Sequence, residues 1–396
     1  MEVLIAPGAL SALLAAGLAG YGVWEQRRHE RSLRRIPVRV HVNGTRGKSS
    51  VTRLIAGGLR AGGLRTFAKT TGTMARVILP DGSEADVYRA GPPNIIEQTR
   101  VVRRAAEGGA EALVIECMAV APELQPLCEL RLIRSTVGVI TNVRADHLDV
   151  MGPTVDDAAL VLAQTTPRNG VLFTAERERA HLLDRVAGER GSRLHVVDER
   201  EVSGEELEGF SYYEHAENVA LALAVCGHLG VGRRVALGGM HAAAPDPGVL
   251  RWYKVRSGDK TVTFINAFAA NDPDSTTLIW KRLGLDRPGD GGKRIVLANC
   301  RKDRLHRSGQ LAELVAGRLT PDHIVLTGEG TGIVAVQALS RGIPPARLSD
   351  LGGLEAGPVY ERVLGLVEDE AVVVGIGNMV GLGGEIALHF RNRASA

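Results

Sequence analysis

The sequence predicts an α/β protein of two domains behind one apolar N-terminal helix, and three observations point to it. At 396 residues the chain exceeds one ordinary core, since domains usually run to roughly 100–200 residues. Short apolar runs alternate with helical stretches along most of its length, the pattern of βα units and a mainly parallel sheet. One small-residue, proline-rich tract from Val235 to Gly248 interrupts that alternation and reads as a connection. The expected divisions are residues 1–24 for the helix, 36–248 for the first domain and 249–396 for the second.

The first element carries no charge from Val3 to Trp24, which meets the roughly 20 apolar residues that a bilayer-spanning helix needs. A basic run follows at once, with Arg27, Arg28, Arg31, Arg34 and Arg35, and the positive-inside rule keeps such a flank cytoplasmic. A cleaved signal peptide would place its positive charge before the apolar run, where this chain has Glu2. A surface helix packed on a soluble domain would show a polar face. The expectation is a single-pass anchor in the cell membrane with the two following domains in the cytoplasm.

Strands come next. Val38 to Val42 alternates and is rich in β-branched residues, so it reads as a strand running into a glycine turn, with a helix from Ser49 to Arg60. Further strands are expected at Ala112–Ile115, Val137–Ile140, Val171–Phe173, Val262–Ile265, Ile295–Ala298, His323–Leu326 and Val372–Val374. Lys and Arg total 48 against 45 Asp and Glu, a balance of +3 that gives no reason to expect nucleic acid. The four cysteines, Cys117, Cys128, Cys226 and Cys300, form no CxxC pair, which argues against a disulfide framework or a structural zinc.

The chemistry-bearing segment is Gly44-Thr45-Arg46-Gly47-Lys48-Ser49-Ser50, set between a strand and a helix. Glycines admit backbone N–H groups to phosphate oxygens, the helix N-terminus adds favourable potential, Lys48 can reach terminal phosphates and Ser49 can hold magnesium. The full Walker pattern would have its first glycine at position 42, which is Val42. Glu116 closes the apolar run Ala112–Ile115, and a carboxylate at a strand end opposite a phosphate loop is placed to hold Mg²⁺. His147, between Asp146 and Asp149, joins the same cation and phosphate site.

Asn43 with the loop, Glu116, the segment Thr141-Asn142-Val143-Arg144-Ala145-Asp146-His147-Leu148-Asp149, and Asn218 stand in an order and spacing that resemble the Mur ligase family. The resemblance implies a Mur-ligase-like ATPase domain followed by a smaller Rossmann-like α/β domain. It implies ATP and Mg²⁺ as cofactors, nucleotide contacts from Asn43, Gly44, Thr45, Arg46, Gly47, Lys48, Ser49, Ser50 and Asn218, and metal contacts from Ser49, Glu116 and His147. Lys48, Glu116 and His147 are then the catalytic set. Arg251 stands where the family often has an arginine that reaches nucleotide phosphates; it reads equally as an exposed linker cation. Many family members carry a carbamylated lysine that falls near Leu162 here, yet no lysine occurs between His147 and Lys254.

In the second domain, Asn266–Ser275 resembles a family segment whose polar positions are replaced here. Asn299–Arg304 follows a strand and reads either as an anion clamp or as a solvated charge run. Gly375–Gly381 has spaced glycines that by themselves signal no dinucleotide.

Only the apolar helix and a short basic segment precede Gly44, so the nucleotide-sugar domain of peptidoglycan-building members has no counterpart ahead of the loop. Together with Thr70–Thr73, Pro93–Gln98, DHLDVMGPT and GIGNMVGLGG, this looks like the poly-γ-glutamate-forming branch of the family. That branch implies activation of a glutamate γ-carboxylate as an acyl phosphate and amide formation with release of ADP and phosphate. The implied partners are glutamate, the growing poly-γ-glutamate chain and small membrane subunits of a synthase and export complex, with room for a homo-oligomer. A folylpolyglutamate-type or other amino-acid ligase is the alternative; a membrane-tethered P-loop NTPase coupled to transport is the alternative of another class.

Overall fold

The structure is a computed structural model, and it describes residues 7–394 apart from 73–74, 90, 247–249, 269–272, 288–291, 303–304 and 380. Several expectations therefore fall outside the described residues: Met1 to Ala6 of the helix, Thr73, Pro247 and Gly248, Ala269 to Asp272, Asp303 and Arg304, and Val380. The chain divides into two compact units, Met1–Asp246 and Pro247–Ala396.

In the first unit eight strands form one sheet: β1 (Val38–Asn43), β2 (Thr66–Thr70), β3 (Arg76–Ile78), β4 (Glu84–Asp86), β5 (Ala112–Glu116), β6 (Val137–Ile140), β7 (Val171–Thr174) and β8 (Arg193–Val196). Their order is β4-β3-β2-β5-β1-β6-β7-β8, and only the β2-β3-β4 edge is antiparallel. β5, β1 and β6 run through the middle of the sheet; β5 and β6 are buried along their whole length and β1 from Val40 to Asn43. One core packs Phe67, Val102, Leu113 and Ile115 together with Leu33 and Ile36, and another packs Ile140, Met151, Leu162, Leu172 and Leu183. Leu162, at the place of the family lysine, is thus a core residue.

The second unit has its own sheet: β9 (Arg251–Ser257), β10 (Lys260–Asn266), β11 (Lys293–Cys300), β12 (His323–Gly328), β13 (Leu348–Gly352) and β14 (Glu370–Gly377). The order β13-β12-β11-β14-β10-β9 is parallel except for the β9 edge. Helices cover both faces, with Phe264, Tyr360, Val373 and Phe390 in one core and Trp280, Val296, Leu326 and Ile376 in the other.

One helix runs unbroken from Pro7 to Arg35. No helix among the described residues is long and apolar enough to cross a membrane. Residues 11–24 are exposed, Leu13, Leu14, Leu18, Tyr21 and Trp24 among them. The run read as a basic flank behaves differently from its composition: His29, Ser32 and Leu33 turn inward, and His29 Nε2 lies 2.9 Å from the Leu132 carbonyl. The Arg39 guanidinium donates to the carbonyls of Leu33, Ile36, Ile133 and Arg134 and closes the turn that follows the helix. The helix is therefore packed on the domain at one end and bare at the other.

Beneath β1, fully buried His41 places Nδ1 2.8 Å from Glu129 Oε2, and Ser135 donates to the same carboxylate through its N–H and its hydroxyl. Burial disfavours the imidazolium, but Cys117 and Glu129 outweigh it and raise the His41 pKa to about 9. A folded value above the ordinary 6.5 stabilises the protein fully below that pH and is lost as pH rises through about 9. The thermal midpoint is expected to fall between pH 7 and 9.5, and Glu129→Gln is expected to flatten that slope while lowering the midpoint at pH 7. Calorimetry across pH checks it; an unchanged slope in the variant refutes the assignment.

Candidate active site

β1 delivers the chain to a glycine turn whose backbone only glycine adopts without strain. Gly44 and Gly47 have φ of 128° and 83°. A Cβ on Gly44 would collide with Thr141, and one on Gly47 would come within 2.5 Å of Asn218 Oδ1. The helix Lys48–Ala61 starts directly behind Gly47 with no side chain capping it, so its first turn presents N–H groups and positive potential to an anion.

Lys48 folds back over the loop, donating to the carbonyls of Gly44 (2.7 Å) and Thr45 (3.2 Å). Ser49 Oγ donates to Glu116 Oε2 at 2.7 Å, and the Thr71 N–H reaches the same oxygen at 2.7 Å. Glu116 is only 2% exposed. A hydroxyl and a carboxylate side by side at a phosphate loop are hard oxygen donors of the kind a divalent cation takes, so Ser49 and Glu116 fit that role.

The loop is braced from β6. Asn142 Oδ1 accepts from Thr45 Oγ1 (2.7 Å) and the Arg46 N–H (3.1 Å), while its Nδ2 donates to the Arg46 carbonyl (3.3 Å) and Glu217 Oε1 (2.8 Å). Thr141 Oγ1 donates to the Arg46 carbonyl at 2.6 Å. Beside this brace opens a cavity of about 410 Å³, lined by Asn142, Arg144, Glu176, Arg177, Arg179 and Glu217 among others, a volume within the range of small-molecule sites.

The remaining predicted residues take varied places. Asn43 is buried, and its amide donates to Gln125 Oε1 (2.8 Å) and Thr165 Oγ1 (3.1 Å), so its side chain anchors the start of the loop from inside the core. Ser50 lies half-buried in the first turn of the helix. Asn218 sits against Gly47 and donates to Glu214 Oε1 at 2.8 Å. Burial first, and Asp246 after it, push the Glu214 carboxyl up to about 7.

His147 has a φ of 51°, a left-handed backbone that a non-glycine residue adopts at a cost, and its side chain is half exposed, 4.0 Å from Asp146. Asp146 in turn lies 3.6 Å from Arg46. Among the described residues no three or more His, Cys, Asp or Glu side chains gather as a metal-binding group. The structure thus pairs Ser49 with Glu116 and does not draw His147 into a three-ligand cluster with them. Arg251 opens β9 in the second unit, opposite Asn266.

Sequence reading missed Lys69, Glu97 and Arg89. Lys69 is fully buried at the end of β2 with Nζ 2.7 Å from Glu97 Oε1, and Arg89 grips the same carboxylate through two hydrogen bonds. Burial lowers the Lys69 pKa against the pull of Glu97. The next residue but one, Thr71, is the one that meets Glu116, and Gln98 beside Glu97 donates to the Glu116 carbonyl. Lys69 lies in the short strand Thr-Phe-Ala-Lys-Thr, which is buried along its length but has no unbroken apolar run, so it left little signal in the sequence.

Two family models match the chain: Mur ligase middle domain over residues 42–240 and poly-gamma-glutamate synthase CapB C-terminal domain over 252–393. The chain is 41% identical over 363 residues to the capsule biosynthesis protein CapB of Bacillus anthracis, covering 91% of this chain and 78% of that protein. It is 39% identical over 364 residues to the PGA synthase CapB of Bacillus subtilis (strain 168), covering 91% and 92%. In fold it is similar to the bifunctional folylpolyglutamate synthase/dihydrofolate synthase of Yersinia pestis complexed with AMPPNP and Mn ion, at a TM-score of 0.66 and 18% identity over 92% of each chain.

Proposed function

The chain belongs to the Mur ligase family, within its poly-γ-glutamate synthase branch, and on that premise we propose how its phosphate loop performs the ligation. It is an ATP-dependent amide ligase that makes poly-γ-glutamate. A γ-carboxylate oxygen attacks the terminal phosphorus of ATP, the bond to the β-phosphate oxygen breaks, and ADP leaves an acyl phosphate. An amine then attacks the acyl carbon, phosphate departs with the bonding pair, and the ammonium proton passes to solvent. No enzyme nucleophile is required.

The observation that carries this reading is the Ser49–Glu116 pair at the mouth of a loop whose helix starts at Lys48. Lys48 exchanges its two loop carbonyls for phosphate oxygens, where each hydrogen bond becomes charge-assisted. Ser49 and Glu116 would hold the divalent cation, Mg²⁺ in this proposal, which when bound would supply neutralisation of charge on the transferring phosphoryl group. The cavity beside Asn142 takes the rest of the nucleotide, since the same side chain shapes the phosphate loop and lines that space. His147 acts on the terminal phosphate within the same reading.

The bare apolar end of the N-terminal helix supports a membrane-bound enzyme with both α/β units in the cytoplasm, working with small membrane subunits that receive the growing chain. Glutamate labelled with ¹⁸O in its carboxylates tests the chemistry: one labelled oxygen is expected in the released phosphate, with γ-linked oligoglutamate as product. Unlabelled phosphate sinks acyl transfer, and glutamylated folate as the only product assigns the site to the folylpolyglutamate-type alternative.

A further inference from the structure

β2 and β5 run parallel, and their ladder ends with Lys69 opposite Ile115. What the cation site takes from these two strands lies past that point, Glu116 on one and Thr71 on the other. Side chains hold the ends together there. Lys69, fully buried, places Nζ 2.7 Å from Glu97 Oε1 and 3.6 Å from Met118 Sδ. It thereby joins the end of β2 to the first turn of the helix Glu97–Glu107 and to the segment just beyond β5. Gln98, in the same turn and also fully buried, donates to the Glu116 carbonyl at 3.3 Å.

This arrangement divides the two oxygens of the Glu116 carboxylate. Oε2 accepts from the Thr71 N–H and from Ser49 Oγ, each at 2.7 Å, while no donor among the described residues reaches Oε1. Which oxygen is spent depends on where Thr71 stands, and Thr71 lies two residues past Lys69. A buried ion pair adds little stability over well-packed apolar residues of similar volume. Arg89 already meets Glu97 with two hydrogen bonds, so that carboxylate has a cation without Lys69. Placement is what Lys69 adds.

We propose that Lys69 is a positioning residue of the cation site, holding the Thr71 N–H on Glu116 Oε2 so that Oε1 stays open to the divalent cation. The inference rests on the reading of Ser49 and Glu116 as the cation's ligands. Charge alone predicts the opposite sign. An ammonium repels a nearby cation, so neutralising Lys69 strengthens metal binding if its charge is what matters and weakens it if its hold on β2 is what matters.

The test is titration of Mn²⁺ into the full-length chain with ADP bound, with free Mn²⁺ followed by electron paramagnetic resonance, folding by circular dichroism and stability by urea unfolding. Lys69→Met keeps much of the side-chain length and leaves Glu97 paired with Arg89. Loss of a residue that orients a metal ligand typically weakens metal binding about 10–100-fold, and Lys69→Met is expected at the lower end of that range with ADP affinity in the absence of metal unchanged. A purely structural role would lower the urea midpoint without weakening Mn²⁺ binding in the folded protein. Mn²⁺ affinity equal to or above that of the wild type in folded Lys69→Met overturns the inference. Glu116→Gln is the control: wild-type affinity there overturns the reading of the cation site itself, whereas weakened binding there beside undiminished binding in Lys69→Met overturns the inference alone. Should Lys69→Met fail to fold, Lys69→Gln carries the same test with the same signs.

Discussion

Lys48→Ala is expected to slow ATP-dependent amide formation by about 10³-fold, or about 4 kcal/mol in the barrier, in a protein that remains folded. In the proposed mechanism the loss is large because the ammonium at the start of the helix meets the charge that develops on the transferring phosphoryl group. The fold is expected to survive because the side-chain hydrogen bonds of Lys48 among the described residues go to Gly44 and Thr45, carbonyls of its own loop. Glu116→Gln keeps the side-chain volume and is expected to lose activity to a similar extent, with an accompanying rise in the divalent cation concentration needed for half-maximal rate. Single-turnover rates with saturating ATP decide the matter; turnover within tenfold of wild type in a folded Lys48→Ala protein defeats the site assignment.

The second large effect concerns where the chain is cut. Removing residues 1–24 is expected to change stability by no more than about 0.5 kcal/mol, the usual range for surface changes, because residues 11–24 are exposed. Removing residues 1–36 is expected to unfold the first unit at 37 °C. That cut strips Leu33 and Ile36, 4% and 0% exposed, from the core they share with Phe67, Val102 and Ile115. Each buried aliphatic side chain lost costs about 2–5 kcal/mol, against a total stability of about 5–15 kcal/mol. Urea unfolding of the two truncated proteins separates the outcomes. Equal midpoints would show that the helix is only an appendage.

The central strands were legible because burial demands β-branched and aliphatic residues, which dominate β5, β6, β7, β11, β12 and β14 and alternate with polar ones in β1 and β10. Edge strands carry no such demand. β8 is almost entirely exposed and β4 is Glu-Ala-Asp, so neither leaves a periodic trace. The loop was legible through its glycines, and Glu116 through its position at a strand end. Asn43 and Asn142 show the limit: both are asparagines beside the loop, yet one points into the core toward Gln125 and the other braces the loop's backbone. Side-chain direction at a strand end depends on neighbours distant in sequence, which spacing does not report. The inward turn of His29 and Leu33 was hidden for a related reason, since four arginines between residues 27 and 34 dominate the composition while the helix period sorts them to the outer face.

The N-terminal helix has a mechanical consequence. A flexible tether would leave the catalytic unit free to tumble about its attachment; an unbroken helix of 29 residues, about 43 Å long at 1.5 Å per residue, transmits angle as well as position. Its inner end is keyed into the domain by His29, Leu33 and Arg39. Anything that held the outer end would set the orientation of the phosphate loop as well as its position.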